Sequence, residues 1–236
     1  MSPESLERSI TSAREILSSL TDFDLSYESF PISHIQEAVV AGVAARVIRV
    51  AFVSDMADEL HVPMAQSQHV WNALIEAGKK HGLRPFGSDT QRLLRLEMGH
   101  HMPGIDTDGL TNPFEIGAEW AIKMEKPYFI GQRSLSILAK RPLRKQLVPF
   151  VLAANFNAEM PMECNLVIDG KEIAGRVTSI SYSKFMDRYI GFAYVTPAKK
   201  AVGSEFQIRT DGGSLVTATV VETPFFKNQI KSQKGA

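Results

Sequence analysis

From residue 147 onward the chain is a succession of short apolar runs: VPFVLAANF, CNLVI, KEIAGRVTSISYS, YIGFAYV, EFQIRT and SLVTATVVE. Between them lie Asp169-Gly170, Asp187-Arg188, Gly203-Ser204 and Asp211-Gly212-Gly213, residues that tolerate tight turns. Runs this short, rich in β-branched and aromatic side chains, read as strands. Six of them at this spacing predict a small antiparallel barrel or sandwich. Cys164 opens one of these runs and reads as a small buried hydrophobe rather than a nucleophile.

The first half has a different texture. Ser2 as N-cap, Pro3, and Glu4 and Glu7 near the positive end of the dipole predict an opening helix, with Leu6, Ile10, Ala13, Ile16, Leu17 and Leu20 on one face. ARVIRVAFVS (45–54) and ELHVP from Glu59 read as neighbouring strands. Gln66 to Lys80 reads as a helix with a Val70, Trp71, Leu74 and Ile75 stripe, closed by Gly82, and Thr90 to Met98 as another with Leu93, Leu94 and Leu96 inward. AEWAIKM is a strand candidate and RSLSILAKR a short helix. The expected class is α+β, with an αβ domain over 1–142 and a six-stranded barrel over 143–236.

Composition narrows the function classes. Lys plus Arg and Asp plus Glu number 26 each, so no overall field draws the chain to nucleic acid or to an anionic membrane. A single cysteine excludes an intrachain disulfide framework and fits a reducing compartment, with the cytoplasm as the expected location. No apolar run approaches the ~20 residues of a membrane span. The P-loop, dinucleotide-binding and nucleophile-elbow signatures are absent from the sequence.

RLEMGHHMPGIDTDGLTNPFEIG (95–117) invites a metal reading, because Asp106, Asp108, Gly109 and Glu115 fall at positions 3, 5, 6 and 12 of an EF-hand loop. Position 1 is then Gly104, and Pro113 stands where the exiting helix should begin, so no metal site is expected. His100 and His101 are adjacent and diverge on either a helix or a strand, and His34, His61, His69 and His81 are scattered. Asp106 and Asp108 are expected to cap turns, with Gly104 and Gly109 supplying positive φ, and Arg95 and Glu97 to form surface or interdomain ion pairs.

The same stretch, continued through AEWAIKMEKPYFIGQRSL, resembles the signature of the glycine cleavage T-protein family of folate-binding aminomethyltransferases. That family includes the folate domains of sarcosine and dimethylglycine oxidising enzymes. The resemblance rests on RLE (95–97), G-x-D (104–106), DTDG, TNPFEIG and KPYFIG ending at Gly131. It is extended by SAREILSSLTDFDL, DELHVPMAQSQHVWNALIEAG, GRVTSISYSKFMDRYIGFAYV and the closing VVETPFF, and so covers roughly residues 11–227. It implies a T-protein-like αβ domain lacking the family's N-terminal portion, followed by the C-terminal barrel.

Three positions carry over as cofactor-binding candidates. Glu59 matches the glutamate that hydrogen-bonds the pterin, Phe52 stands where relatives often carry the tyrosine of GYTGE, and Gln91 stands where they carry the arginine of ARD. No catalytic residue is assigned. The function implied is one subunit of a split tetrahydrofolate-dependent demethylase or aminomethyltransferase, with folate shared with the partner that supplies the missing portion. The alternative is a non-catalytic scaffold of such a complex. A methylated small molecule would be the donor, and an oxidase assembly would carry its flavin on another subunit.

Overall fold

The structure, a computed structural model, describes residues 12–50, 52–53 and 57–225. The expected N-cap Ser2, with Pro3, Glu4, Leu6, Glu7 and Ile10, lies outside the described residues, as does the chain after Phe225. The described residues form two compact units dividing after Met98.

The first unit opens with a helix, α1, described over 12–18. A meander follows, β1 (Ile35–Val40), β2 (Val43–Val50) and β3 (Ala57–His61), antiparallel and in that spatial order. The β1–β2 hairpin turns on Ala41 and Gly42 at φ 50° and 78°, the pair of positive values that matches the strands' own twist. A short 3₁₀ turn leads into α2 (Ser67–Gly78), and α3 (Ser88–Glu97) ends the unit. Gly82, at φ 72°, closes the α2 region as expected. Leu17, Leu25, Phe30, Val40, Val43, Ala45, Val47 and Val70 form the core. Trp71, expected inward, is exposed; Val70 and Leu74 carry the packing of α2.

Strand β2 alternates in burial, and its fourth inward position is Arg49 rather than an aliphatic residue. The guanidinium is fully buried, and each of its three nitrogens donates a hydrogen bond. Nε and Nη2 donate to the Asp58 carboxylate at 2.9 and 3.3 Å, and Nη1 donates to the Leu25 and Phe30 carbonyls at 2.9 and 2.6 Å. The Phe30 ring lies beneath it, 4.7 Å from the guanidinium carbon. Arg49 thereby ties β2 to β3 and to the loop before β1. Arg95 and Glu97 on α3 are also buried, which rules out the surface half of the expected surface or interdomain ion pairs: a sequence pattern places charges outward unless a folded partner draws them in.

The second unit carries α4 (Gln132–Leu138) and the barrel: β4 (Gln146–Val151), β5 (Leu166–Asp169), β6 (Glu172–Ser183), β7 (Arg188–Val195), β8 (Glu205–Arg209) and β9 (Leu215–Val220). All six expected strands form, and they close in the order β4-β7-β6-β5-β8-β9 with every pairing antiparallel. Phe150, Val167, Val177, Ala193, Val195 and Ile208 fill the interior. The barrel strands begin at Gln146, while the compact unit that contains them reaches back to Gly99.

Three local expectations fail here. AEWAIKM forms a 3₁₀ turn at Glu119–Ala121, not a strand, since a closed barrel offers no free edge for it to pair with. Cys164 is exposed at φ 72°, in the turn before β5. Of the two glycines expected at positive φ, Gly104 has it at 84°, whereas Gly109 is not among the positive-φ glycines.

Candidate functional site

Two places hold the residues singled out in the sequence, one in each unit. In the first unit, Glu59 lies in the middle of β3, opposite Ile48 of β2. Its side chain is 56% exposed, and Oε2 lies 3.2 Å from Nε2 of His61, two residues along the strand and so on the same face. Oε1 has no partner among the described residues, so the carboxylate has acceptor capacity to spare. Phe52 is half-buried at the bend after β2. Gln91 is exposed in the first turns of α3, its backbone N–H donating to the Gly87 carbonyl at 3.2 Å. No hydrogen bond joins Gln91 to Glu59 among the described residues. The structure pairs Glu59 with His61, a histidine that the sequence left isolated.

A carboxylate with one free oxygen on an accessible strand face can accept an N–H donor from a bound molecule at Oε1. Phe52 supplies an aromatic side chain without a hydroxyl, and Gln91 a neutral amide without a fixed cation.

In the second unit the glycine-rich stretch proves to be a docking knot. Gly104 at φ 84° turns the chain, and the Met102 N–H donates to Asp106 Oδ2 at 2.9 Å. Asp106 is fully buried, and its Oδ1 accepts from the Thr178 and Ser179 hydroxyls, each at 2.6 Å. Its backbone carbonyl accepts from the Tyr194 hydroxyl at 2.9 Å. Consecutive strand residues normally face opposite ways, but β6 carries a register shift between Val177 and Ser179 that lets both hydroxyls reach one carboxyl oxygen. The G-x-D and VTS motifs are thus two halves of one contact, 72 and 73 residues apart in sequence. Asp106 does more than the turn-capping expected of it.

Asp108 does act as expected. Its Oδ1 accepts from the Leu110 and Thr111 N–H groups, both at 2.9 Å, and from the Thr111 hydroxyl at 2.8 Å. The Thr111 hydroxyl, then the Leu110 N–H, hold its carboxyl below the usual carboxylate range. Asn112 caps the 3₁₀ turn Pro113–Ile116 through a reciprocal pair: its side chain accepts from the Phe114 and Glu115 N–H groups while Glu115 accepts from the Asn112 N–H. Burial pushes the Tyr194 phenol up, and Lys145 sits 4.2 Å over its ring centre. His101 packs edge-on against Phe192 at 5.1 Å between ring centres. The carboxyls that suggested calcium are committed to hydroxyls and backbone N–H groups. Among the described residues no group of three or more His, Cys, Asp or Glu could hold a metal ion. No described helix is long and apolar enough to cross a membrane.

The described structure is similar in fold to the glycine cleavage system aminomethyltransferase T from Bartonella henselae, with a TM-score of 0.68. That likeness covers 79% of this chain and 50% of the other at 23% sequence identity. The GCVT N-terminal domain model matches residues 11–126, and the glycine cleavage T-protein C-terminal barrel model matches 145–227. The chain belongs to the glycine cleavage T-protein family.

Its similar proteins include an aminomethyltransferase of Thermotoga petrophila, 31% identical over 94% of this chain and 58% of that protein. Human mitochondrial dimethylglycine dehydrogenase is 30% identical over 94% of this chain and 26% of its own length. Sarcosine oxidase subunit alpha of Corynebacterium sp. strain P-1 is 30% identical over 94% of this chain and 24% of its own. The chain therefore spans 58% of the length of the Thermotoga aminomethyltransferase it matches.

Proposed function

We propose that this chain is one part of a tetrahydrofolate-dependent one-carbon transferase, a demethylase or aminomethyltransferase, completed by a partner polypeptide that supplies the rest of the family's length. The observation that carries the reading is the presence of both family modules, sheet and barrel, in one chain. One relative is itself named as a subunit.

Glu59 accepts hydrogen bonds from the amino-pyrimidine edge of the pterin, while His61 holds Oε2 and leaves Oε1 to lead the contact. Phe52 offers its ring to the flat pterin, and Gln91 offers a neutral amide to a polar atom of the cofactor. Bound tetrahydrofolate supplies the acceptor nitrogens for the one-carbon unit. The chain's own contribution is orientation, which places a methylated donor and the acceptor in reacting geometry. No residue of this chain is assigned as general acid or base.

Thermal unfolding of the chain with and without its co-purified partner, in the presence of tetrahydrofolate, tests the reading. Ligand at 100 times its Kd stabilises the complex by about 2.7 kcal/mol, a rise of a few degrees in Tm. The scaffold reading is favoured by Gln91, which places an exposed neutral side chain where a binding arginine would lie. A complex that tetrahydrofolate leaves unshifted supports the scaffold and ends the enzyme reading.

A further inference from the structure

From residue 116 to residue 145, between buried Glu115 and buried Gln146, not one side chain is buried. Yet the segment is far from a polar linker. Trp120 is 80% exposed, Tyr128 78% and Ile130 92%, and it is ordered by its own contacts: Gln132 Nε2 donates to the Met124 and Lys126 carbonyls at 3.2 and 2.8 Å, and α4 closes it. An ordered segment that leaves a tryptophan, a tyrosine and an isoleucine in water is the signature of an interaction surface.

The charge on the segment selects the occupant. Lys123, Lys126, Arg133, Lys140, Arg141 and Arg144 are all exposed, and none forms an ion pair with a described residue; the acids in the same stretch are Glu119 and Glu125 alone. The chain as a whole is balanced at 26 cations and 26 anions, so the excess belongs to this face. A second copy docked about a two-fold axis would set these cations against themselves. A nucleic acid gains nothing from an isoleucine that stands almost wholly in solvent. A lipid interior does not satisfy the free backbone groups of bends and 3₁₀ turns, whereas a protein surface can supply partners for them.

Building on the proposed split transferase, we propose that residues 117–144 are the docking face for the completing polypeptide, which presents an apolar pocket ringed by Asp and Glu. Trp120, Tyr128 and Ile130 are the anchors, and the cations steer association and fix orientation.

The test uses the complex that co-purifies with the full chain from its own cells, measured against Trp120→Ala/Ile130→Ser and Lys123→Glu/Lys126→Glu. The apolar pair lowers partner affinity by about tenfold or more at unchanged Tm of the free chain. The charge pair slows association, with the effect shrinking as salt rises, and hydrogen exchange over 117–144 slows in the wild-type complex. Unchanged affinity in both variants, exchange that slows only elsewhere, or a chain that stays alone overturns the docking face. So does a loss confined to binding of phosphatidylserine vesicles or single-stranded RNA. If the variants dissociate but the wild-type complex ignores tetrahydrofolate, the surface stands and the transferase reading fails. If the complex binds folate and the variants remain assembled, the reverse holds.

Discussion

Two aspartates two residues apart show how local surroundings divide the work of identical side chains. Asp106 is sealed under two hydroxyls and a backbone N–H, whereas Asp108 caps a turn in water. Replacing Asp106 with Ala removes the buried acceptor that the Thr178 and Ser179 hydroxyls and the Met102 N–H share, and the expected loss is about 2–4 kcal/mol in urea denaturation. Asp108→Ala produces a much smaller shift in the same assay, because water replaces the lost acceptor. The carboxyls of Asp108 and Glu159 are both held low, the first chiefly by Thr111 and the second chiefly by Thr210. A folded-state pKa below the unfolded one contributes stability above the ordinary carboxylate range that disappears as pH falls through the folded value, so Tm declines below about pH 4. Asp108→Asn removes its share of that decline. Tyr194, pushed up by burial, has the opposite sign: its contribution is complete below about pH 10 and disappears as pH rises through the folded value, a loss that Tyr194→Phe abolishes.

Among the elements, β2 and the barrel strands β6 and β7 show what the fold tolerates. Arg49 occupies an inward strand position where Val43, Ala45 and Val47 precede it, and Arg49→Met leaves Asp58 and two carbonyls without their donor. The expected cost is about 3–5 kcal/mol, read as a lowered Tm of the first unit's transition. At Gly191 an added Cβ would lie 2.4 Å from the Ser179 carbonyl oxygen and 2.5 Å from the Phe150 ring, so Gly191→Ala loses about 1–3 kcal/mol by overpacking. The barrel strands were legible in the sequence because each run is bracketed by residues that favour turns, and the turns form at Asp187, Gly170, Gly203 and Gly213 with positive φ. Strand β1 was not legible: Ile35 and Val39 are exposed and only Val40 is buried, so IQEAVV lacks the alternation that marks a half-buried strand. AEWAIKM misled for the converse reason, apolar density without a neighbour to pair with.

On the scale of the whole molecule, motif and chemistry separate. The glycine-rich stretch that most resembles the family is a structural joint within the second unit, and its link to the VTS bulge lies beyond any local sequence signal because the partners stand more than 70 residues apart. A lone acid on a strand leaves no spacing to read, so Glu59 was reached only through the family resemblance, and Phe52 and Gln91 likewise. The cofactor contact proposed for this chain is one exposed carboxylate in the first unit, Glu59. Glu59→Gln keeps the shape of the side chain and removes the charge; at an exposed strand position it leaves stability within about 0.5 kcal/mol of wild type. Isothermal titration of tetrahydrofolate into the partner-bound chain, wild type against Glu59→Gln, then isolates the cofactor contact. Losing a charge-assisted hydrogen bond should weaken affinity by about tenfold or more at unchanged Tm, whereas equal affinity in the two complexes would remove Glu59 from the cofactor site and contradict the account.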